Sequence, residues 1–252
     1  MLRFMSIHRL RSFVPPAVRR PIRRAITAVG ERRQARALAK LVRTLQREVQ
    51  SGAINPALLA NIRTAWGNEA FSVDQSFLAE VAARCLRNRG NLLDCGSGLS
   101  TIVAGTIAEV CGGHVWSLEQ DRTWYESMRR VLRDLKLTMS VTLWHAPLRV
   151  YGDFVWFDIQ LRSLPPEFTY VFCDGPAVFP TEWPDELHGN WRMGVVPVLQ
   201  ARGVRFGEIL LDDAEDERCP RVRDRWAELG VPTEIVTTPT GPFVLGRTKP
   251  VR

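Results

Sequence analysis

The chain has 252 residues, 45% of them apolar and 24% charged, which is enough apolar material for a full core and excludes wholesale disorder. No run approaches the eighteen or so consecutive apolar residues of a transmembrane helix. The net charge of +7 is uneven: residues 1–50 hold 13 Lys+Arg against 2 Asp+Glu, and the remaining 202 hold 21 against 25. The basic character therefore belongs to the first fifth of the chain, and any polyanion contact is expected there. The opening residues lack a compact apolar segment followed by small residues, so no secretory signal is expected. The five cysteines are odd in number and form no CxxC, which suits buried thiols in a reducing, cytoplasmic compartment.

In chain order, Val18, Ile22, Ile26 and Val29 recur at helical spacing among Arg19, Arg20, Arg23 and Arg24. Leu38, Leu41, Leu45 and Val49 repeat the pattern beside Arg36, Lys40, Arg43 and Arg47. Residues 1–50 thus read as a basic amphipathic helical arm. The arm either packs its apolar stripe on the body or lies on an anionic membrane or an acidic partner, making the protein peripheral at a membrane. RNA is a less favoured partner, because the arm has no aromatic residues beyond Phe4 and Phe13 to stack bases. Residues 51–252 read as one domain, expected to fold without the arm.

Asn55-Pro56 reads as a cap and first helical residue, and Ser72-x-x-Gln75 as a capping box opening a helix that Gly90 stops. Strands and helices then alternate. Strands are predicted at 91–96, 114–120, 140–146, 168–174 and 208–213, with helices at 99–110, 122–137, 191–201 and 219–229. Two final strands, 233–238 and 243–247, are joined by Pro239-Thr240-Gly241-Pro242. The pattern predicts an α/β fold with a seven-stranded, mostly parallel sheet, helices on both faces and a reversed C-terminal hairpin. Chemistry in such a sheet collects at the C-terminal strand ends. Those ends carry Asp94, then Gly96-Ser97-Gly98; Glu119-Gln120; His145-Ala146; Asp174-Gly175-Pro176; and Asp212-Asp213. Carboxylates at buried strand ends need a ligand, a metal or solvent to satisfy them.

LLDCGSGLST (92–101) resembles the first motif of the class I S-adenosylmethionine (SAM)-dependent methyltransferases. YVFCDGP (170–176) and EILLDD (208–213) resemble that Rossmann-like family's fourth- and fifth-strand motifs, and the likeness covers roughly residues 70–248. It implies SAM as cofactor. Gly96, Ser97 and Gly98 would pass close to its methionine moiety, with Ser100 or Thr101 adding a hydroxyl and Asp94 meeting the ammonium. Glu119, with Gln120 beside it, would take the ribose hydroxyls, and His145 and Ala146 stand at the adenine position. A nicotinamide dehydrogenase shares the architecture, but here Thr101 replaces its third glycine.

The fourth-strand end lacks the NPPY-like tetrapeptide of amide and nucleobase N-methyltransferases. This favours an oxygen acceptor on a small molecule or sugar, with Asp174 or His188 as the base. Asp174, Asp212 and Asp213 also resemble the ligands of metal-dependent O-methyltransferases, which implies Mg²⁺. Ala177 replaces the lysine of the catechol-type enzymes, and Pro176 stands where sugar-type relatives often carry a second acid. Two insertions, 148–166 with Tyr151, Trp156 and Phe157 and 176–193 with Phe179, Trp183, Trp191, Asp185, Glu186, His188 and Arg192, are expected to wall the acceptor or to be ordinary packing. An RNA methyltransferase using the arm and a non-catalytic scaffold at a membrane remain the alternatives.

Overall fold

The computed structural model describes residues 16–68, 72–159, 163–176, 184, 187, 190 and 192–248, with side chains of the first helix from residue 30 onward, residue 31 excepted. His188, Phe179, Trp183, Trp191, Asp185 and Glu186 lie outside the described residues. The described elements are helices α1 (Pro16–Gln50), α2 (Pro56–Trp66) and α3 (Gln75–Leu86), then β1 (Asn91–Cys95), α4 (Leu99–Cys111), β2 (His114–Glu119), α5 (Arg122–Asp134) and β3 (Val141–His145). There follow β4 (Leu148–Tyr151), β5 (Phe154–Phe157), β6 (Glu167–Cys173), α6 (Val195–Ala201), β7 (Arg205–Leu211), α7 (Cys219–Glu228), β8 (Thr233–Thr238) and β9 (Gly241–Arg247).

Seven strands form one sheet in the order β3-β2-β1-β6-β7-β9-β8. All pairings are parallel except those of β9 with β7 and β8. The reversed strand that the Pro/Gly turn implied is therefore β9, wedged between two strands that run the other way. The central strands are apolar on both faces because helices cover both. Leu92, Leu93 and Cys95 of β1 and Val171, Phe172 and Cys173 of β6 are all buried. Strand order reverses between β1 and β6, which opens the crevice at their C-terminal ends.

α4 is buried almost all round, from Leu99 through Ala108. A helix apolar on every side needs cover on every side. The sheet provides one face, with Gly105 brought so close that an added Cβ would lie 2.4 Å from Val141 Cγ2. α1 and α3 help provide the other: Leu38, Val42, Leu45 and Val49 join one core with Ile102, Val103 and Ile107 of α4 and Phe77 and Val81 of α3. The division at residue 50 suggested by the charge asymmetry thus falls inside a packed layer. At about 1.5–3 kcal/mol for each fully buried side chain, these four residues contribute on the order of 6–12 kcal/mol, an upper bound that is still comparable to a domain's whole stability.

Local signals resolve unevenly. Asn55 caps α2 by accepting from Ala57 N–H (2.9 Å), with Pro56 at the first helical position and Gly67 ending the helix at φ 71°. The capping box at Ser72 does not form: Ser72 Oγ donates to Asn68 O (2.6 Å), and α3 opens after Asp74. Residues 148–157 fold as an antiparallel hairpin, β4–β5, that was not foreseen. Its Phe154, Trp156 and Phe157 are buried in the second core, with Trp156 packed against Gly194. These aromatics are core packing and not an acceptor wall. All five cysteines are free and buried.

Candidate active site

The loop after β1 is tied down before it reaches the crevice. Gly175 N–H donates to Cys95 O (2.6 Å), and Gly96 N–H donates to Leu118 O (3.1 Å). Gly96 has φ 115°, and a Cβ there would lie 2.9 Å from Gly175 N; a Cβ on Gly175 would lie 2.9 Å from Gly96 Cα and Cys95 O. Two glycines are thus required because two backbones touch at the switch point. Gly98 differs. Its φ of 177° is extended, and a Cβ there would meet nothing within 4 Å. The space beside Gly98 is open.

Asp94, 1% exposed, turns beneath this loop. Its carboxyl accepts from Thr101 Oγ1 (2.5 Å), Ser100 Oγ (3.1 Å) and Ser117 Oγ (3.3 Å). Burial pushes it from 3.8 to about 7, with the three hydroxyls pulling it back down. Asp94, expected to meet the ammonium, and Ser100 and Thr101, one of which was expected to add a hydroxyl, are joined to one another within the loop. Thr101 Oγ1 also accepts from Gly98 N–H (2.9 Å), so the amides of Gly96 and Gly98 both already have protein acceptors. The first intrahelical bond of α4 runs from Ile102 N–H to Gly98 O (3.2 Å). The amides of Leu99, Ser100 and Thr101 therefore have no intrahelical acceptor, as at any helix start, and an anion placed there could take their hydrogen bonds.

Glu119 ends β2 at 6% exposure. Ser97 Oγ donates to its Oε2 (2.6 Å) and Asp121 N–H to its Oε1 (2.8 Å). Burial raises its proton affinity, against the pull of these two donors. Two donors leave lone pairs on a carboxylate that can accept up to about four hydrogen bonds. Trp124, unremarked in the sequence, closes the loop from α5: its Nε1 donates to Ser97 O (2.9 Å), and its ring meets Trp66 edge-on at 5.9 Å. At the end of β3, His145 Nε2 lies 3.2 Å from Gln120 O, its ring is 5.6 Å from that of Tyr125, and Ala146 N–H donates to Glu119 O (2.7 Å). The four predicted residues Glu119, Gln120, His145 and Ala146 thus form one hydrogen-bonded rim beside Ser97.

Across the switch point, Asp174 and Asp213 meet on a residue that had not been singled out for a role. Arg192 Nη2 lies 3.1 Å from Asp174 Oδ1 and 2.9 Å from Asp213 Oδ2, and its Nη1 donates to Asp212 O (3.4 Å). Arg192 is 3% exposed. Arg192 and Asp213 both have left-handed backbones, φ 57° and 55°, a conformation that costs a non-glycine residue of order 1 kcal/mol or more. Asp212 Oδ2 accepts from Asp74 N–H (3.2 Å), and its Oδ1 is buried with no partner among the described residues. Burial raises Asp174 to about 8, against the pull of Arg192, and raises Asp212 to about 6.

This donor set does not fit Mg²⁺. A guanidinium already occupies the place between Asp174 and Asp213 where a divalent cation would sit, and two cations there would repel. Among the described residues, no group of three His, Cys, Asp or Glu side chains is placed to hold a metal. Sequence reasoning could have found Arg192 by charge balance, because it is the only Lys or Arg between residues 176 and 193 and three acids at adjacent strand ends need a countercharge.

The sheet order, the glycine loop at the switch point and the reversed β9 define the class I methyltransferase fold, the fold expected from the sequence. Solved structures agree. A human methyltransferase 10 domain-containing protein matches at a TM-score of 0.51 and 10% identity, over 77% of this chain and 97% of its own. The Podospora anserina methyltransferase PaMTH1, solved with SAH, matches at 0.50 and 13%, over 84% and 88%. The human METTL16 catalytic domain, in complex with a MAT2A 3′UTR hairpin, matches at 0.50 and 12%, over 77% and 80%. No protein-family model and no curated protein matches the chain.

Proposed function

We propose that the chain is a SAM-dependent methyltransferase that methylates a hydroxyl of a small-molecule or sugar-type acceptor. The observation that carries the reading is the rim around Gly98: open space beside the glycine, a helix start with unengaged amides on one side, and the buried Glu119 carboxylate with free lone pairs on the other. These residues fit the cofactor. Glu119 accepts the ribose hydroxyls, a bidentate task that suits a carboxylate. The first-turn amides of α4 receive the carboxylate of the methionine moiety. His145 and Ala146 flank the base. When bound, SAM supplies an electrophilic methyl group on a sulfonium.

The acceptor's proton needs a base within reach of the crevice. Asp174 is the described candidate, since Oδ1 is held by Arg192 and Oδ2, with no partner among the described residues, can take the proton. Arg192 fixes the carboxyl in place, and burial raises its proton affinity toward neutrality, where a general base works best. His188 remains a second proposal for this role. A small acceptor agrees with the net negative charge of residues 51–252, which repels an extended polyanion from the body.

Calorimetric titration with SAM and SAH tests the reading. Glu119→Ala removes charge-assisted hydrogen bonds worth about 1.5–3 kcal/mol each and is expected to weaken binding by at least tenfold. Weakening of less than about threefold in a folded variant, or NADH binding more tightly than SAM, would contradict it.

A further inference from the structure

The second half of α1 divides into two opposed faces. Leu38, Val42, Leu45 and Val49 are buried in the core. Arg32, Arg33, Arg36, Lys40, Arg43 and Arg47 are all exposed. At 3.6 residues per turn these six cations fall within an arc of roughly 100°, centred opposite the buried stripe. None forms an ion pair with a described residue. Cations presented in a row without carboxylate partners repel one another, and only an external anion relieves that repulsion. The row is rigid, because the helix beneath it is anchored in the core.

Its shape and composition select the partner. The row lies on the exposed side of a helix, and residues 30–50 contain no aromatic side chain on which bases could stack. The rest of the molecule beyond residue 50 is net negative, so a nucleic acid that wrapped past the helix would meet repulsion. A flat anionic surface can meet the row without wrapping onto the net-negative remainder of the chain. No described helix is long and apolar enough to cross a membrane, and the apolar stripe of residues 38–49 is committed to the core, so contact here is electrostatic and not insertional. Gln34, among these arginines, donates to Trp66 O (2.8 Å); Trp66 meets Trp124, and Trp124 bonds Ser97. The row therefore begins at the end of the molecule that carries the glycine loop.

We propose that the exposed basic face of α1, Arg32 to Arg47, docks the protein on an anionic lipid surface, with the crevice at the end of the sheet nearest the start of that face. Full-length protein is sedimented with vesicles of phosphatidylcholine plus phosphatidylserine and with vesicles of phosphatidylcholine alone. Each cation near such a surface is worth roughly fivefold in partitioning, so Arg36→Gln/Lys40→Gln/Arg43→Gln/Arg47→Gln is expected to bind anionic vesicles at least about a hundredfold more weakly. Binding of the parent is expected to vanish at about 1 M salt, where the Debye length shrinks to about 3 Å. SAH affinity and melting temperature of the variant are expected to match the parent, which separates failure of the docking from failure of the cofactor site. Equal binding to neutral and anionic vesicles, or undiminished binding by the four-residue variant, would overturn the proposal. Poly(U) that binds more tightly than the vesicles and strips the protein from them would assign the face to nucleic acid instead.

Discussion

Asp94 shows how one carboxyl can read as a ligand contact in a motif and serve as a scaffold in the fold. Its three hydroxyl partners lie on two elements, Ser100 and Thr101 on α4 and Ser117 on β2. Spacing along the chain identifies the loop but not the direction in which the acid points. Because its native value is raised from 3.8 to about 7 by burial, the folded state holds this proton more tightly than the unfolded state. Its contribution to stability is fully present below about pH 4 and is lost as pH rises to about 7. Asp212 and Asp174, raised to about 6 and about 8 by burial, act in the same direction. Denaturant unfolding at pH 5 and pH 8 checks this: Asp94→Asn is expected to lose less stability over that interval than the parent, by on the order of 1 kcal/mol or more. An unchanged pH dependence would show that Asp94 is ionised without penalty. Arg192 was missed for a related reason, since Asp174 follows β6 and Asp212 and Asp213 follow β7, two strand ends that only the sheet brings together.

At the scale of elements, what the sequence revealed depended on where each element's partner lies. α2 carried its own signals in Asn55, Pro56 and Gly67, and the structure uses all three. The parallel strands β1, β2, β3, β6 and β7 were legible because buried parallel strands are nearly continuous apolar runs. The β4–β5 hairpin was not: Phe154 to Phe157 is buried on both faces, so it shows no alternation, and its partner strand is only four residues long. α1 was visible as a helix, but periodicity does not say what its apolar stripe rests on. Truncation distinguishes its two halves. Removing residues 1–29 is expected to leave a folded protein with a melting temperature within a few degrees of the parent, and removing residues 1–50 to unfold it, because four buried side chains and the cover of α4 go with them. A cooperative, SAH-binding protein lacking residues 1–50 would contradict the layer described here.

At the scale of the whole molecule, the sheet order places every predicted acid at one edge, and that much followed from counting strands. Which of those acids faces the crevice did not follow. Glu119 stands beside the loop with Ser97, Asp94 lies beneath it, and Asp174 and Asp213 share Arg192 across the switch point. Gly98 separates the fold from the proposed ligand site most cleanly. A Cβ there would meet nothing within 4 Å, so Gly98→Leu meets no steric block from the fold, and the melting temperature of the variant reports whether the loop keeps its shape. The same side chain would fill the space assigned to the cofactor. Calorimetric titration of Gly98→Leu with SAH, beside the parent, is therefore the most direct test. The predicted result is a variant that still unfolds cooperatively, with SAH binding weakened beyond about a hundredfold; parent-like SAH affinity in the folded variant would contradict the placement of the cofactor in this crevice.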